Sequence, residues 1–143
     1  MPKSLTFSTG VKEYDINGTI VRFNPTDVAF FESLYDAFTD IDALYKQHEQ
    51  STGFEGFRKL DEDICDKLDE VLGEGVADSI FGGVRAYSLN EDTGEPLWVT
   101  LLFVCLDQVV EAWESGSAKT EGSVSERMRK YDALMARYRK GKK

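Results

Sequence analysis

Histidine is nearly missing from this sequence: His48 is the only one among 143 residues. That scarcity sets aside most nucleophilic catalysis, because a Ser-His-Asp or Cys-His relay needs a histidine placed beside its nucleophile. Zinc-ligand spacing, HExxH, a Walker loop and GxGxxG are missing too. Carboxylates are abundant, yet no spacing marks two of them as an acid/base couple. The residues therefore point away from an enzyme, and neither metal nor cofactor is expected. His48 itself falls near a helix end, where a cation suits the dipole.

Cysteine is scarce as well, with Cys65 and Cys105 the only two. No CxxC spacing joins them, and each takes an apolar-facing position on an expected helix. Both read as buried, reduced packing residues. The opening MPKSLTFSTG lacks the apolar stretch of a signal peptide. The longest apolar run, Leu97–Leu106, is broken only by Thr100 and is followed by Asp107 and Glu111. It is too short for a membrane span, which needs about 20 residues. A cytoplasmic protein with no membrane partner is the expectation.

What the chain does contain is enough for one folded domain. Hydrophobic residues make up 41% and aromatic residues 12%, the composition of a globular protein. The net charge of −9 is unevenly spread: residues 127–143 carry +7 and the preceding 126 carry −16. An acidic body with a basic tail can attract itself, within one copy or between copies.

Asn17-Gly18 is a strong type I′ hairpin signal. It pairs Ile16 with Thr19, Tyr14 with Val21 and Lys12 with Phe23, and sets Glu13 opposite Arg22. Leu5–Ser8 is a weaker candidate for a third strand. Asp15-Ile-Asn17-Gly18 also has the look of a calcium loop, but its terminal carboxylate position falls on Asn24, so the turn prevails. Asn24 and Pro25 open helix 1, running to about Gln50 with Phe31, Leu34, Phe38, Ile41 and Tyr45 on its apolar side. Helix 2, Phe54–Leu72, sets Phe57, Leu60, Ile64, Leu68 and Val71 against a face holding Asp61, Glu62, Asp63, Asp66, Asp69 and Glu70. Gly73-Glu74-Gly75 closes it. A short helix over Val76–Phe81 stops at Gly82-Gly83. Val84–Leu89 suits an extended conformation, and Asn90–Pro96 is a loop.

Leu97–Trp113 is the most apolar segment. Its period continues through Val109, Val110 and Trp113, predicting one helix over 97–114 rather than a strand. The expected fold is α+β and mainly α: a hairpin (11–23), helices over 25–50, 54–72, 76–81 and 97–114, packed around the last. Residues 1–114 form one globular domain, 115–122 a flexible linker, and 123–143 a basic amphipathic helix. The candidate contact residues are Leu97, Trp98, Leu101, Leu102 and Trp113 on the apolar helix. Asp63, Asp66 and Asp69 join them from the acidic face, with Arg127, Met128, Tyr131, Met135 and Tyr138 from the last helix. An acidic body opposes approach to phosphates, so protein rather than nucleic acid is the expected partner.

The order of motifs LDEVLGEGVADSIFGG (Leu68–Gly83) and PLWVTLLFVCLDQV (Pro96–Val109) resembles a family of small proteins from tailed phages and prophages of Gram-positive bacteria. VRFNPTD (Val21–Asp27) and the closing MRKY…ARYRK (Met128–Lys140) are similar too. The resemblance implies a tail assembly chaperone, a homo-oligomer that coats the tape measure protein, with the tail tube protein a further partner. A longer loop at Asn90–Pro96 and extra Gly and Ser over 115–122 depart from the family and bear on where the last helix sits. Two other readings stand beside it. One is an acidic inhibitor that binds a host nuclease or DNA-binding protein through Asp61–Glu70. The other is a structural tail component retained in the virion.

Overall fold

The computed structural model describes residues 1–48 and 54–116, together with Arg129, Asp132, Ala133 and Ala136, which are helical and exposed. Its first element is β1 (Lys12–Ile16), which turns back into β2 (Thr19–Phe23). Asn17 and Gly18 take φ of 51° and 86°, the left-handed pair that a type I′ turn requires. Asp15 tightens the turn by accepting the Gly18 N–H at 2.8 Å. The register follows the sequence pattern: Ile16 faces Thr19, Tyr14 faces Val21, and Lys12 faces Phe23. Glu13 and Arg22 form the cross-strand ion pair at 3.6 Å on the exposed face. On the other face Tyr14 stacks on Phe23 at 4.4 Å, and Phe23 on Phe30 at 4.3 Å. This aromatic column fastens the hairpin to the first helix.

That helix, α1 (Val28–His48), starts three residues later than Pro25 suggests. Asn24 does not cap it. Its Oδ1 accepts the Thr26 N–H at 3.0 Å and the Thr26 hydroxyl at 2.8 Å, closing a turn of its own. Asp27 then accepts the Ala29 N–H at 2.9 Å and serves as the cap. Phe31, Leu34, Phe38 and Ile41 are fully buried along one stripe. Helix α2 (Phe54–Leu72) runs between the expected bounds and buries Leu60, Ile64, Leu68 and Leu72. Phe57, placed in the same stripe by its spacing, is instead 42% exposed. It lies against Tyr87 with ring centres 5.5 Å apart. Helix α3 (Val76–Phe81) lies between Gly75 and Gly82, whose φ values of 78° and 57° are both left-handed.

Residues 84–89 do not form a strand. They make turns that end in a single bridge between Leu89 and Pro96. Leu5–Ser8 is not a strand either, and the sheet among the described residues has two strands. Helix α4 (Leu97–Gly116) takes in Ser115 and Gly116, which the sequence pattern assigned to the linker. Residues 117–122 lie outside the described residues.

Helix α4 is the centre of the core. Trp98, Val99, Leu102, Cys105, Leu106 and Val109 have no exposed surface. Phe38 of α1 reaches Trp98 at 5.4 Å and Phe103 at 5.9 Å. Each such side chain contributes about 1.5–3 kcal/mol relative to exposure, and α1, which packs on both α2 and α4, joins the three helices into one core. Over the described residues of 1–116 the chain is mainly α: a small N-terminal hairpin followed by four helices.

Candidate functional site

The apolar helix does not offer the contact surface its composition suggests. Trp98 and Leu102 are fully buried, and Leu101 is 3% exposed. Leu97 and Trp113 are half-buried and pack against the same core. The run is apolar all round because it is enclosed nearly all round by its own chain, so these five residues are packing residues first. Val104 is the exception on this helix, at 39% exposure.

Beside Val104 lies a shallow groove of about 280 Å³ whose apolar walls are Ile16, Phe81, Val84, Leu97, Leu101 and Val104. Four elements meet there: the hairpin turn, α3, the 82–89 connection and α4. Val84 contributes a side chain that is 52% exposed. Further large apolar side chains stand in solvent at Leu5, Phe7, Ile20 and Leu89.

The acidic face of α2 divides into two kinds of carboxylate. Asp69 turns toward the chain that follows it: its oxygens accept the N–H groups of Gly75 and Ala77, each at 3.0 Å. The beginning of α3 has no cap of its own, because Gly75 has no side chain to supply one. Asp69 fills that need from a turn and a half away, and its charge suits the positive helix end. Asp61 does similar work one step on, accepting the Ala86 N–H at 2.7 Å and pairing with Arg85 at 3.4 Å. Asp63 is tied to Lys59 at 3.0 Å, and Asp66 is exposed. Asp63, Asp66 and Asp69 are thus not one docking surface, and Asp69 leaves the set. Helical spacing alone groups Asp61 with the solvated charge. The signal that could have distinguished these two aspartates is the short helix ahead of them, flanked by glycines and short of side-chain acceptors.

Between α1 and α2 a polar groove of about 300 Å³ is lined by Asp36, Asp40, Lys67 and Glu70. Lys67 spans it to Asp40 at 3.7 Å. Arg127, Met128, Tyr131, Met135 and Tyr138 lie outside the described residues.

Chemically reactive groups are few. Burial pushes the Cys105 thiol up to about 12. The Cys65 thiol also rises to about 12, by burial first and then by the nearby Asp61, Asp78 and Asp69 charges. Both stay protonated near neutral pH and are poor nucleophiles. Among the described residues no group of three His, Cys, Asp or Glu side chains is placed to hold a metal ion. No helix among them is long and apolar enough to cross a membrane. Comparison with protein-family models, curated proteins and solved structures finds no match to this chain.

Proposed function

We propose that this chain is a non-enzymatic tail assembly chaperone of a phage or prophage, binding the tape measure protein in the host cytoplasm while the tail tube polymerises. The observation that carries the role is the character of the surface. Large apolar side chains stand exposed at several places, Ile20 at 56% and Leu89 at 63% among them, on a body of strong negative charge. Such a surface suits transient binding of an apolar helical rod together with solubility at high local concentration. The order of the GEG, IFGG and PLWVTLLFVCLDQV segments supports the same role. The rod contact falls on exposed side chains outside the core of α4, since Trp98, Leu101 and Leu102 are enclosed. Engagement of Asp61 and Asp69 inside the fold weighs against an inhibitor acting through α2.

Co-expression with a phage tape measure protein tests this role. The tape measure protein should stay in the supernatant and co-purify with this chain, and the chain should be missing from purified particles by mass spectrometry. A tape measure protein equally insoluble with and without the chain would overturn the proposal. Stoichiometric recovery of the chain from particles would instead assign it to the tail structure.

A further inference from the structure

We propose that residues 1–9 are an exchange arm, whose Leu5 and Phe7 side chains seat in the apolar groove beside α4 of a second copy of this chain. In their own copy these side chains are 79% and 84% exposed. In an extended segment Lys3, Leu5 and Phe7 point to one side, and Ser4, Thr6 and Ser8 to the other. The groove presents Ile16, Val84, Leu97, Leu101 and Val104 around about 280 Å³ of open space. Strand β1, which supplies Ile16, pairs with β2 and with no other strand among the described residues. Its outer edge is therefore a template for an incoming strand. The Leu5–Ser8 segment has the alternation of a third strand but no strand beside it in its own copy, and the neighbour's β1 supplies one.

The pivot at Gly10 directs the arm outward. Gly10 has φ of +89°, and a Cβ there would stand 3.1 Å from Asn24 Oδ1. Asn24 Nδ2 donates to the Thr9 carbonyl at 3.0 Å. Together these pin the chain at the open end of the hairpin, whereas the groove lies at its turn end with Ile16 and Asn17. Phe7 is three residues from the pivot and can travel at most about 11 Å. Ile16 is six residues along the other way, about 20 Å at strand rise. Folded back on its own β1, the arm leaves Phe7 well short of the groove, so the two side chains do not seat there together within one copy.

Charge favours a second copy as the occupant. Residues 1–9 carry Lys3 and no acid, whereas residues 10–126 carry a net −17. One turn beyond Val104, α4 exposes Asp107, and Glu111 follows it. Glu111 is near enough to Tyr14 of β1 to help raise the tyrosine's pKa after burial has done so. Asp107 and Glu111 thus give α4 negative charge beyond the groove, on the helix that an arm bearing Lys3 approaches. Arm-to-groove contact joins two different surfaces, so it closes as a reciprocal dimer or propagates as a chain of copies.

This proposal stands apart from the coating role and is tested without the tape measure protein. The mass of the full chain is measured by light scattering and sedimentation across the micromolar range at low salt. The chain should associate, and Leu5→Ser with Phe7→Ser should weaken association at least about tenfold, the factor expected from losing one large buried apolar side chain. Both positions are exposed in the single copy, so the variant keeps its fold by circular dichroism. A Phe7→Cys chain mixed with a Val84→Cys chain should form a disulfide between copies, Cys65 and Cys105 being buried. A monomeric mass throughout the range overturns the proposal, as does association that the arm variant leaves unchanged. Cross-linking confined to single chains when both substitutions are combined overturns it as well.

Discussion

Replacing Asp69 by alanine should destabilise the fold far more than replacing Asp66, three residues earlier on the same helix. Asp69 accepts two backbone N–H groups, from Gly75 and from Ala77, at 3.0 Å each. A hydrogen bond to a charged group contributes about 1.5–3 kcal/mol when buried and less where water can replace it. The Gly75 N–H belongs to an exposed residue, so water recovers most of its loss. The Ala77 N–H belongs to a residue with no exposed surface, and water has poor access to it. The sum for Asp69→Ala is about 2–3 kcal/mol, which includes the lost helix cap. Asp69→Asn retains one acceptor oxygen and should cost about 1 kcal/mol. Asp66 is exposed, and its alanine variant should fall within about 0.5 kcal/mol of the parent. Urea unfolding followed by far-ultraviolet circular dichroism at neutral pH measures all three. Equal midpoints for Asp66→Ala and Asp69→Ala would refute the division of the acidic face into solvated and internal carboxylates.

Other perturbations test other levels of the fold. Trp98→Ala removes the largest fully buried side chain and should cost about 3–5 kcal/mol, while Val104→Ala should cost under about 1 kcal/mol, both by urea unfolding; similar costs would contradict the enclosed position of α4. Cys105 has a pKa raised from 9.0 to about 12 in the folded chain, so its contribution is complete below pH 9 and is lost as pH climbs toward 12. Stability should fall above about pH 9, and less steeply in Cys105→Ala; equal slopes would show that this thiol is not responsible. Gly10→Ala forces a side chain into a left-handed conformation against Asn24 and should cost about 1 kcal/mol. Combined with Asn24→Ala the cost should be less than additive, and strict additivity in the double-mutant cycle would show that the two do not act together.

The parts of this fold that are legible in the sequence are those fixed by local chemistry. Asn17-Gly18 sets the hairpin register because only a left-handed pair closes so short a turn. The glycine pairs around Val76–Phe81 set the bounds of α3. Stripes at helical spacing identify Phe31, Leu34, Phe38 and Ile41 as core. Misreadings arise where a residue's role depends on chain far from it. Asn24 resembles a cap, yet it closes a turn and holds Thr9, leaving the cap to Asp27. Asp61 and Asp69 sit among solvated acids in sequence, but the amides they serve lie 25 residues beyond Asp61 and 6 and 8 residues beyond Asp69. The surplus apolar surface of Leu97–Leu106 suggests a partner only until the rest of the core is folded against it. Composition records how much must be covered and is silent about what covers it.

The lead-in to α4 has a consequence for how the chain is made. The first amides of that helix, at Leu97 and Trp98, donate to the carbonyls of Ser88 and Ala86 at 2.8 and 3.0 Å. Ala86 is itself held by Asp61 of α2. A relay of backbone bonds therefore runs from α2 through the 82–89 connection to the beginning of the most apolar helix. During synthesis α1 and α2 leave the ribosome before Leu97 does, so both the covering surfaces and the acceptors for those amides exist when the apolar run emerges. The most aggregation-prone stretch of the chain is delivered last among these elements, to a receptacle assembled ahead of it.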